Sequence, residues 1–336
     1  MLTTELQHKI DSKTKPLGAL GTLEALALKI GNVQQTISPV LKHPTIVVFA
    51  GDHGVAKEGV SAYPPSVTHQ MVLNFLNEGA AINVFCKQHN IALKIVDAGV
   101  NFDFPEHPLL ISAKVGHGTQ SFLKNKAMSS EQLQDCLNHG RRIVDKLSAS
   151  GCNTIGFGEM GIANTSASAL IMSTICQLPL EECVGRGTGV DDEQLQQKIR
   201  ILKEAQKNHP NLNNAYEVLQ SFGGFEIAQI CGAMLAAYEQ QMLILVDGFI
   251  ATNAFLVAKT INPKIQDNAV FCHLSDEHGH KNLLNYLEAE PLLKLGMRLG
   301  EGTGCAVAYP LLESAVTFLN EMASFESAGV SNKDSL

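Results

Sequence analysis

Apolar residues recur along this chain in two alternating rhythms. Thr45-Ile46-Val47-Val48-Phe49-Ala50 is continuously apolar and β-branched, as a strand buried on both faces must be, and it ends in the polar turn Gly51-Asp52-His53-Gly54. Four more runs repeat this. Ala92 to Val96 leads into Asp97-Ala98-Gly99, and Cys152 to Phe157 into Gly158-Glu159-Met160-Gly161. Met242 to Val246 leads into Asp247-Gly248, and Ala269 to Cys272 into His273-Leu274-Ser275-Asp276. Helical spacing fills the intervals, roughly 66–88, 131–148, 164–176, 192–207, 225–239 and 250–260. Strands alternating with helices predict an α/β fold, a mostly parallel sheet with helices on both faces. In such a sheet the ligand crevice opens at the carboxyl ends of the strands, so the five polar loops are expected to gather there.

The two ends of the chain differ from this middle. Residues 1–40 read as helical with one interruption at Lys15-Pro16-Leu17-Gly18, and 288–330 read as helical without a convincing strand. The expectation is a small discontinuous helical domain made of 1–40 and 288–330, packed on a sheet domain of 41–287. From Ser324 onward the small and polar residues predict fraying, with 331–336 belonging to neither unit.

Composition narrows the class of function. Of 336 residues, 45% are hydrophobic and only 17% charged, which supports a large buried core and argues against disorder. The net charge of −8, with no Lys/Arg block, argues against nucleic acid as a partner and leaves small molecules. Eight cysteines stand singly with no CxxC pair, the usage of buried free thiols in a reducing compartment. The first ten residues mix acid and base without an apolar core, and no apolar run reaches membrane-spanning length. A cytoplasmic protein with no membrane association is expected.

Candidate chemistry concentrates in a few glycine-rich stretches. In Leu292 to Pro310 a single acid, Glu301, stands between Gly300 and Gly302, followed by Thr303 and Gly304, with apolar residues on both sides. A carboxylate in such surroundings is poorly hydrated, so its pKa rises toward the range useful for taking a proton near neutral pH. A solvated acid at a glycine turn is the other reading the stretch allows. Gly158 to Ser166 joins a strand to a helix and suits an anion cradle, or equally an N-cap from Asn164, Thr165 or Ser166. Gly185-Arg186-Gly187-Thr188-Gly189 precedes a helix carrying Lys198, which fits a phosphate site or a connector beside a solvated lysine. Two such loops at helix starts favour a phosphorylated sugar. Gly59 to Pro65, with Ser61 and Tyr63 and then Gln70, offers a proline-stiffened loop suited to a flat heterocycle, or a plain surface turn. Asp52-His53, and His278 and His280 with His273, invite a metal reading, but an HxH without a located third ligand is nonspecific, and no metal is expected. There is no Walker A, no GxSxG and no GxGxxG, which weakens a nicotinamide-dependent dehydrogenase.

Together these stretches resemble the nicotinate-nucleotide–dimethylbenzimidazole phosphoribosyltransferase family, over about residues 10 to 320. The matching motifs are Thr14 to Gly21, Ala50 to Val55, Gly59 to Pro64, Gly158 to Ile162, Gly185 to Gly189, Gly223 to Ala228 and Leu299 to Gly304. The resemblance implies a Rossmann-like sheet, a small domain from both termini and a homodimer. It implies transfer of phosphoribose from nicotinate mononucleotide to 5,6-dimethylbenzimidazole. Glu301 matches the family's base, and Glu159 another site position. Lys198 and Gly161 match phosphate-binding positions, with Ser275 and Gly189 beside them; Ser61, Tyr63 and Gln70 lie in the segment lining the base pocket. Leu17, Ala163, Ala167 and His278 depart from the pattern, standing where proline or glycine is common.

The implied reaction suits these residues. A pyridinium leaves as neutral nicotinate without a general acid, while the incoming benzimidazole must lose one proton, so one base suffices and no metal or redox cofactor is required. Attack opposite the leaving group inverts the anomeric carbon. The same transfer to another base, or a non-catalytic protein that binds α-ribazole or its precursors, are the competing readings.

Overall fold

The computed structural model describes residues 1–187 and 189–331. Its centre is one sheet of six strands: β1 (Thr45–Gly51), β2 (Ala92–Gly99), β3 (Leu110–Ser112), β4 (Thr154–Met160), β5 (Leu243–Val246) and β6 (Ala269–Phe271). The order is β3-β2-β1-β4-β5-β6 and every pairing is parallel. All five strands expected from the apolar runs are present. β3 escaped because it is a three-residue edge strand, only partly buried, and too short to show a rhythm. Chain direction across the sheet reverses between β1 and β4, and a crevice opens at the carboxyl ends of such neighbours.

Successive side chains of a strand face opposite sides. Along β1, Val47 and Phe49 join a core with the helices Ser130–Ala149, Asn164–Cys176, Phe225–Glu239 and Phe249–Ile261. Ile46, Val48 and Ala50 join a second core on the other face, with Leu2–Asp11, Thr22–Val33, Val67–Leu76, Ala81–Gln88 and Thr303–Glu321. The helices of the two chain ends therefore pack together and share their core with the sheet. Lys13 and Ser324 form an antiparallel bridge, and Lys13 Nζ donates to the Met322 carbonyl at 2.6 Å. In the interruption before Thr22, buried Lys15 pairs with Glu24 at 2.8 Å while Leu17 points outward.

Three expectations need correction. The helix expected over 66–88 is two, because Glu78 turns left-handed at φ 59° and the Asn83 side chain accepts from the Ala80 amide to start the second. Residues 289–302 are not helical. Leu292 and Leu293 donate to the carbonyls of Phe271 and Cys272, so the segment runs beside the end of β6 and Leu293 bridges His273 in parallel. The expected fraying from Ser324 is replaced by a short helix, Phe325–Ala328, which Ser324 and Ser327 cap reciprocally. The tail expected to fray lies outside the described residues from 332 on. All eight cysteines are buried and free, and among the described residues no helix is long and apolar enough to cross a membrane.

Candidate active site

Glu301 stands where the segment beside β6 turns into the Thr303–Glu321 helix. Gly300, Glu301 and Gly302 are all left-handed, with φ of 83°, 64° and 82°. For a residue with a side chain this conformation costs about 1–2 kcal/mol, so something must hold it. Asp247, at the end of β5, does so from outside the turn. The Gly302 amide donates to its Oδ2 at 3.0 Å and the Gly304 amide to its Oδ1 at 2.7 Å. From β4 the turn is approached so closely that a Cβ on Gly158 would lie 2.4 Å from the Glu301 carbonyl carbon.

The Glu301 side chain is buried, and its Oε2 has no hydrogen-bond partner among the described residues. Burial, and then the negative charge of Asp247, push its pKa up to about 7. Glu159, on β4, borders the same place and accepts from Asn164 Nδ2 at 2.5 Å. Burial raises it to about 8 against the pull of Asn164, with Asp247, Glu226 and Glu301 adding repulsion. Asn164 thus serves Glu159 and does not cap its helix, whose N-cap is Ala163 at φ 78° with no side-chain cap. Ala163 stands left-handed, which accounts for the glycine preferred there.

A cavity of about 110 Å³ runs from Glu159, Gly161 and Gly300 to Gly187, Ser275 and Arg298. It shares the last three with a wider cleft of about 940 Å³, which also has Gly189 and His278 in its wall. Behind both lies Lys198, 1% exposed, donating to Thr165 Oγ1 at 3.1 Å and to the Gly185 carbonyl at 3.2 Å. Burial lowers its pKa to about 8, partly opposed by Glu277. It is therefore no solvated lysine. The Ser275 loop is wedged from beneath by His280. The Ser275 amide donates to His280 Nδ1 at 2.8 Å, and His280 Nε2 lies 3.0 Å from Thr252 Oγ1, whose hydroxyl donates to the Gly248 carbonyl. Burial, and then His273, lower His280 to about 3, so it is a neutral wedge. His278 is exposed on the cleft wall.

Glu159, Gly161 and Ser275 line the smaller cavity and Gly189 the outer cleft, with Lys198 behind; Glu301 lines neither, but follows Gly300 of the smaller cavity's wall. Ser61, Tyr63 and Gln70 are not in the wall of either cavity. Ser61 and Tyr63 lead into the Val67–Leu76 helix, which contains Gln70 and which Thr68 ties to the Gly161 turn by accepting from the Ile162 amide at 3.1 Å. The five polar loops do not all converge. Those after β4, β5 and β6 do, while Asp97, still within β2, pairs with Lys114 at 3.2 Å. Below the Gly161 turn, fully buried His53 and Glu226 meet at 2.5 Å. Asp247, Arg298 and this pair were missed as site residues. Asp247 carried a signal as the acid that ends a buried strand, and His53 as part of the polar turn after β1. Among the described residues no cluster of His, Cys, Asp and Glu could hold a metal ion.

Comparison with known proteins gives a consistent result. A family described as Phosphoribosyltransferase matches residues 1–330. The nicotinate-nucleotide–dimethylbenzimidazole phosphoribosyltransferase of Dechloromonas aromatica is 56% identical over 336 residues, covering 99% of this chain and 97% of its own length. The enzyme of the same name from Photobacterium profundum is 52% identical, covering 97% and 95%. The crystal structure of CobT from Thermus thermophilus superposes with a TM-score of 0.95 at 41% identity, over 98% of this chain and 99% of that one. This chain belongs to the nicotinate-nucleotide–dimethylbenzimidazole phosphoribosyltransferase family.

Proposed function

We propose that the chain transfers phosphoribose from nicotinate mononucleotide to 5,6-dimethylbenzimidazole, giving α-ribazole 5′-phosphate and nicotinate with inversion at the anomeric carbon. The observation that carries this reading is Glu301: a buried carboxylate oxygen without a partner, beside a cavity and with a pKa near 7. A buried acceptor left unpaired costs the fold free energy, and a ligand N–H supplies the missing donor. The attacking benzimidazole carries such an N–H on its second nitrogen. Glu301 takes that proton as the first nitrogen bonds to the anomeric carbon, and the pyridinium leaves with the bonding pair as neutral nicotinate. A positioned base contributes about a hundred- to ten-thousandfold, and alignment of the two substrates much of the rest.

Lys198 supplies the charge for the 5′-phosphate, with amides and hydroxyls from Gly161, Ser275 and Gly189. Glu159 borders the sugar and the leaving ring. Ser61, Tyr63 and Gln70 form the outer wall for the acceptor base, where the exposed Tyr63 ring is free to meet a flat heterocycle. We also read 1–40 with 288–330 as a small helical domain on the 41–287 sheet domain, and the protein as a cytoplasmic homodimer; eight buried free thiols suit that compartment.

The test is to incubate the purified protein with both substrates and separate the products. Nicotinate released in step with an α-linked ribazole phosphate is the expected outcome. Nicotinate alone would mean hydrolysis, and a β-linked product would rule out direct inversion. No product with any base would leave a binding protein.

A further inference from the structure

Within the left-handed turn that carries Glu301, the Thr303 amide and hydroxyl both donate to the Gly300 carbonyl, at 3.1 and 2.7 Å, which leaves the amides of Gly302 and Gly304 to be satisfied from outside. Gly302 is the N-cap of a 19-residue helix and offers no side-chain cap. The first amides of that helix need acceptors, and its N-terminus favours an anion. Asp247 meets both needs from a different element. It is 1% exposed, and its two oxygens take the Gly302 and Gly304 amides at 3.0 and 2.7 Å. On its far side His273 Nε2 lies 3.5 Å from Oδ1, too long for a hydrogen bond, and both ring nitrogens of His273 lack partners among the described residues. The Asp247 carboxylate is therefore committed to the turn.

We propose that Asp247 is the positioning residue of the transfer reaction: it locks the Gly300–Gly302 turn so that the Glu301 carboxylate meets the acceptor N–H. A second effect of its charge is to make that carboxylate a stronger base. This rests on Glu301 being the base. Asp247 neither touches substrate nor moves a proton. The second effect follows from proximity, since a like charge nearby disfavours ionisation of Glu301. The other ionisable groups around the pair are Glu159 at the end of β4, with Glu226 behind it, His273 after β6, Cys305 on the same helix, and Arg298 and Lys198 across the cavity. Of these, only Asp247 both hydrogen-bonds the turn and lies close enough to raise Glu301.

The test measures kcat and KM against pH for the wild type, Asp247→Asn, Asp247→Glu and Glu301→Gln. Asparagine keeps the shape but loses the charge, and it turns an N–H toward one of the two amides. We expect its kcat to fall about 10- to 100-fold with KM for nicotinate mononucleotide within about twofold, and the acid limb to move to lower pH. Glutamate keeps the charge but cannot hold both amides in the same geometry, so kcat should fall with the acid limb in place. An unmoved limb in Asp247→Asn, with activity lost only in proportion to folded protein, would reduce Asp247 to a structural cap and overturn the proposal. If the asparagine variant does not fold, Asp247→Glu decides, because wild-type kcat at every pH would also overturn it. Glu301→Gln separates the two ideas: activity retained with the wild-type pH profile removes the base and Asp247's role together. An inactive Glu301→Gln beside an unmoved Asp247→Asn limb removes Asp247's role alone.

Discussion

Replacing Lys198 with methionine removes one charge from a site that is 1% exposed while keeping most of the side chain's length and volume. In the free protein that charge is a burden. Burial brings the lysine from its ordinary 10.5 to about 8, so keeping it charged at pH 7 costs the fold roughly 3 kcal/mol. Loss of the Thr165 and Gly185 hydrogen bonds returns about 1–2 kcal/mol of that in the opposite direction. The net expectation is a variant that melts roughly 2–4 °C higher. With substrate the sign reverses. A buried ammonium facing a phosphate is a desolvated charge pair, and removing one partner costs about 3–5 kcal/mol. At 1.4 kcal/mol per decade that is a loss of roughly two to three orders of magnitude in kcat/KM, expressed mainly in KM for nicotinate mononucleotide. Initial rates from separated products, with a calorimetric melt of the same preparation, measure both. A lower melting temperature with an unchanged KM would refute the reasoning, since it would make Lys198 a structural cation.

The remaining predictions concern the carboxylates and the turn. Because Glu301 must be ionised to accept a proton, kcat/KM should rise with pH through an inflection near 7, and the inflection should vanish in Glu301→Gln. A rate independent of pH from 5 to 9 would exclude Glu301 as the base. Gly158→Ala would place a Cβ 2.4 Å from the Glu301 carbonyl carbon and 2.5 Å from the Gly302 nitrogen, both backbone atoms. Displacing that turn should lower kcat about 100-fold or more with little change in KM; wild-type kcat would mean that the turn is free to move. Glu159, raised by burial to about 8, binds a proton more tightly folded than unfolded. Its contribution to stability is therefore full below about pH 4.5 and is lost as pH rises through 8, by roughly 5 kcal/mol at most. Glu159→Gln should flatten the decline in unfolding free energy between pH 5 and 8, measured by chemical denaturation, and identical slopes would contradict its raised pKa.

What the sequence made legible follows from how local each signal is. Five strands were readable because strands covered on both faces are continuously apolar, as Thr45 to Ala50 illustrates. β3 lacks that signature because it lies half-exposed at an edge. Leu293, Leu295, Met297 and Leu299 alternate with a period of two, which foretells the extended run of 289–302, but their density imitates a helix face. Glu301 drew notice through its glycine frame and Lys198 through the glycine loop before its helix, while Glu159 drew notice only through the family resemblance. The use of Asn164 was not, because its partner could equally have been its own helix start. Asp247 was visible only as an acid after a strand. Its donors lie 55 and 57 residues later, a separation that no local pattern encodes. His280 shows the converse: an apparent metal-ligand pattern conceals a neutral wedge under the Ser275 loop.

The two ends of the site carry opposite charge, and this polarity ties the proposed roles together. Lys198 and Arg298 stand at one end, and Glu226, Asp247 and Glu301 at the other, with Glu159, raised to about 8, mostly protonated near neutral pH. Nicotinate mononucleotide has an anionic phosphate at one end and, at the other, a pyridinium nitrogen on a ring that also carries a carboxylate. As the ring departs, positive charge moves from its nitrogen toward the anomeric carbon, and fixed negative charge in a buried setting stabilises that shift more than water would. The same acids repel one another, and this repulsion is part of what brings Glu301 to about 7 and Glu159 to about 8. An arrangement that binds a cation and steadies its departure thus also makes one of its own members basic. The corollary is that charge and basicity cannot be altered separately. Neutralising Asp247 should weaken the hold on the pyridinium nitrogen and lower the basicity of Glu301 and Glu159, so losses from paired Asp247 and Glu301 substitutions should not add.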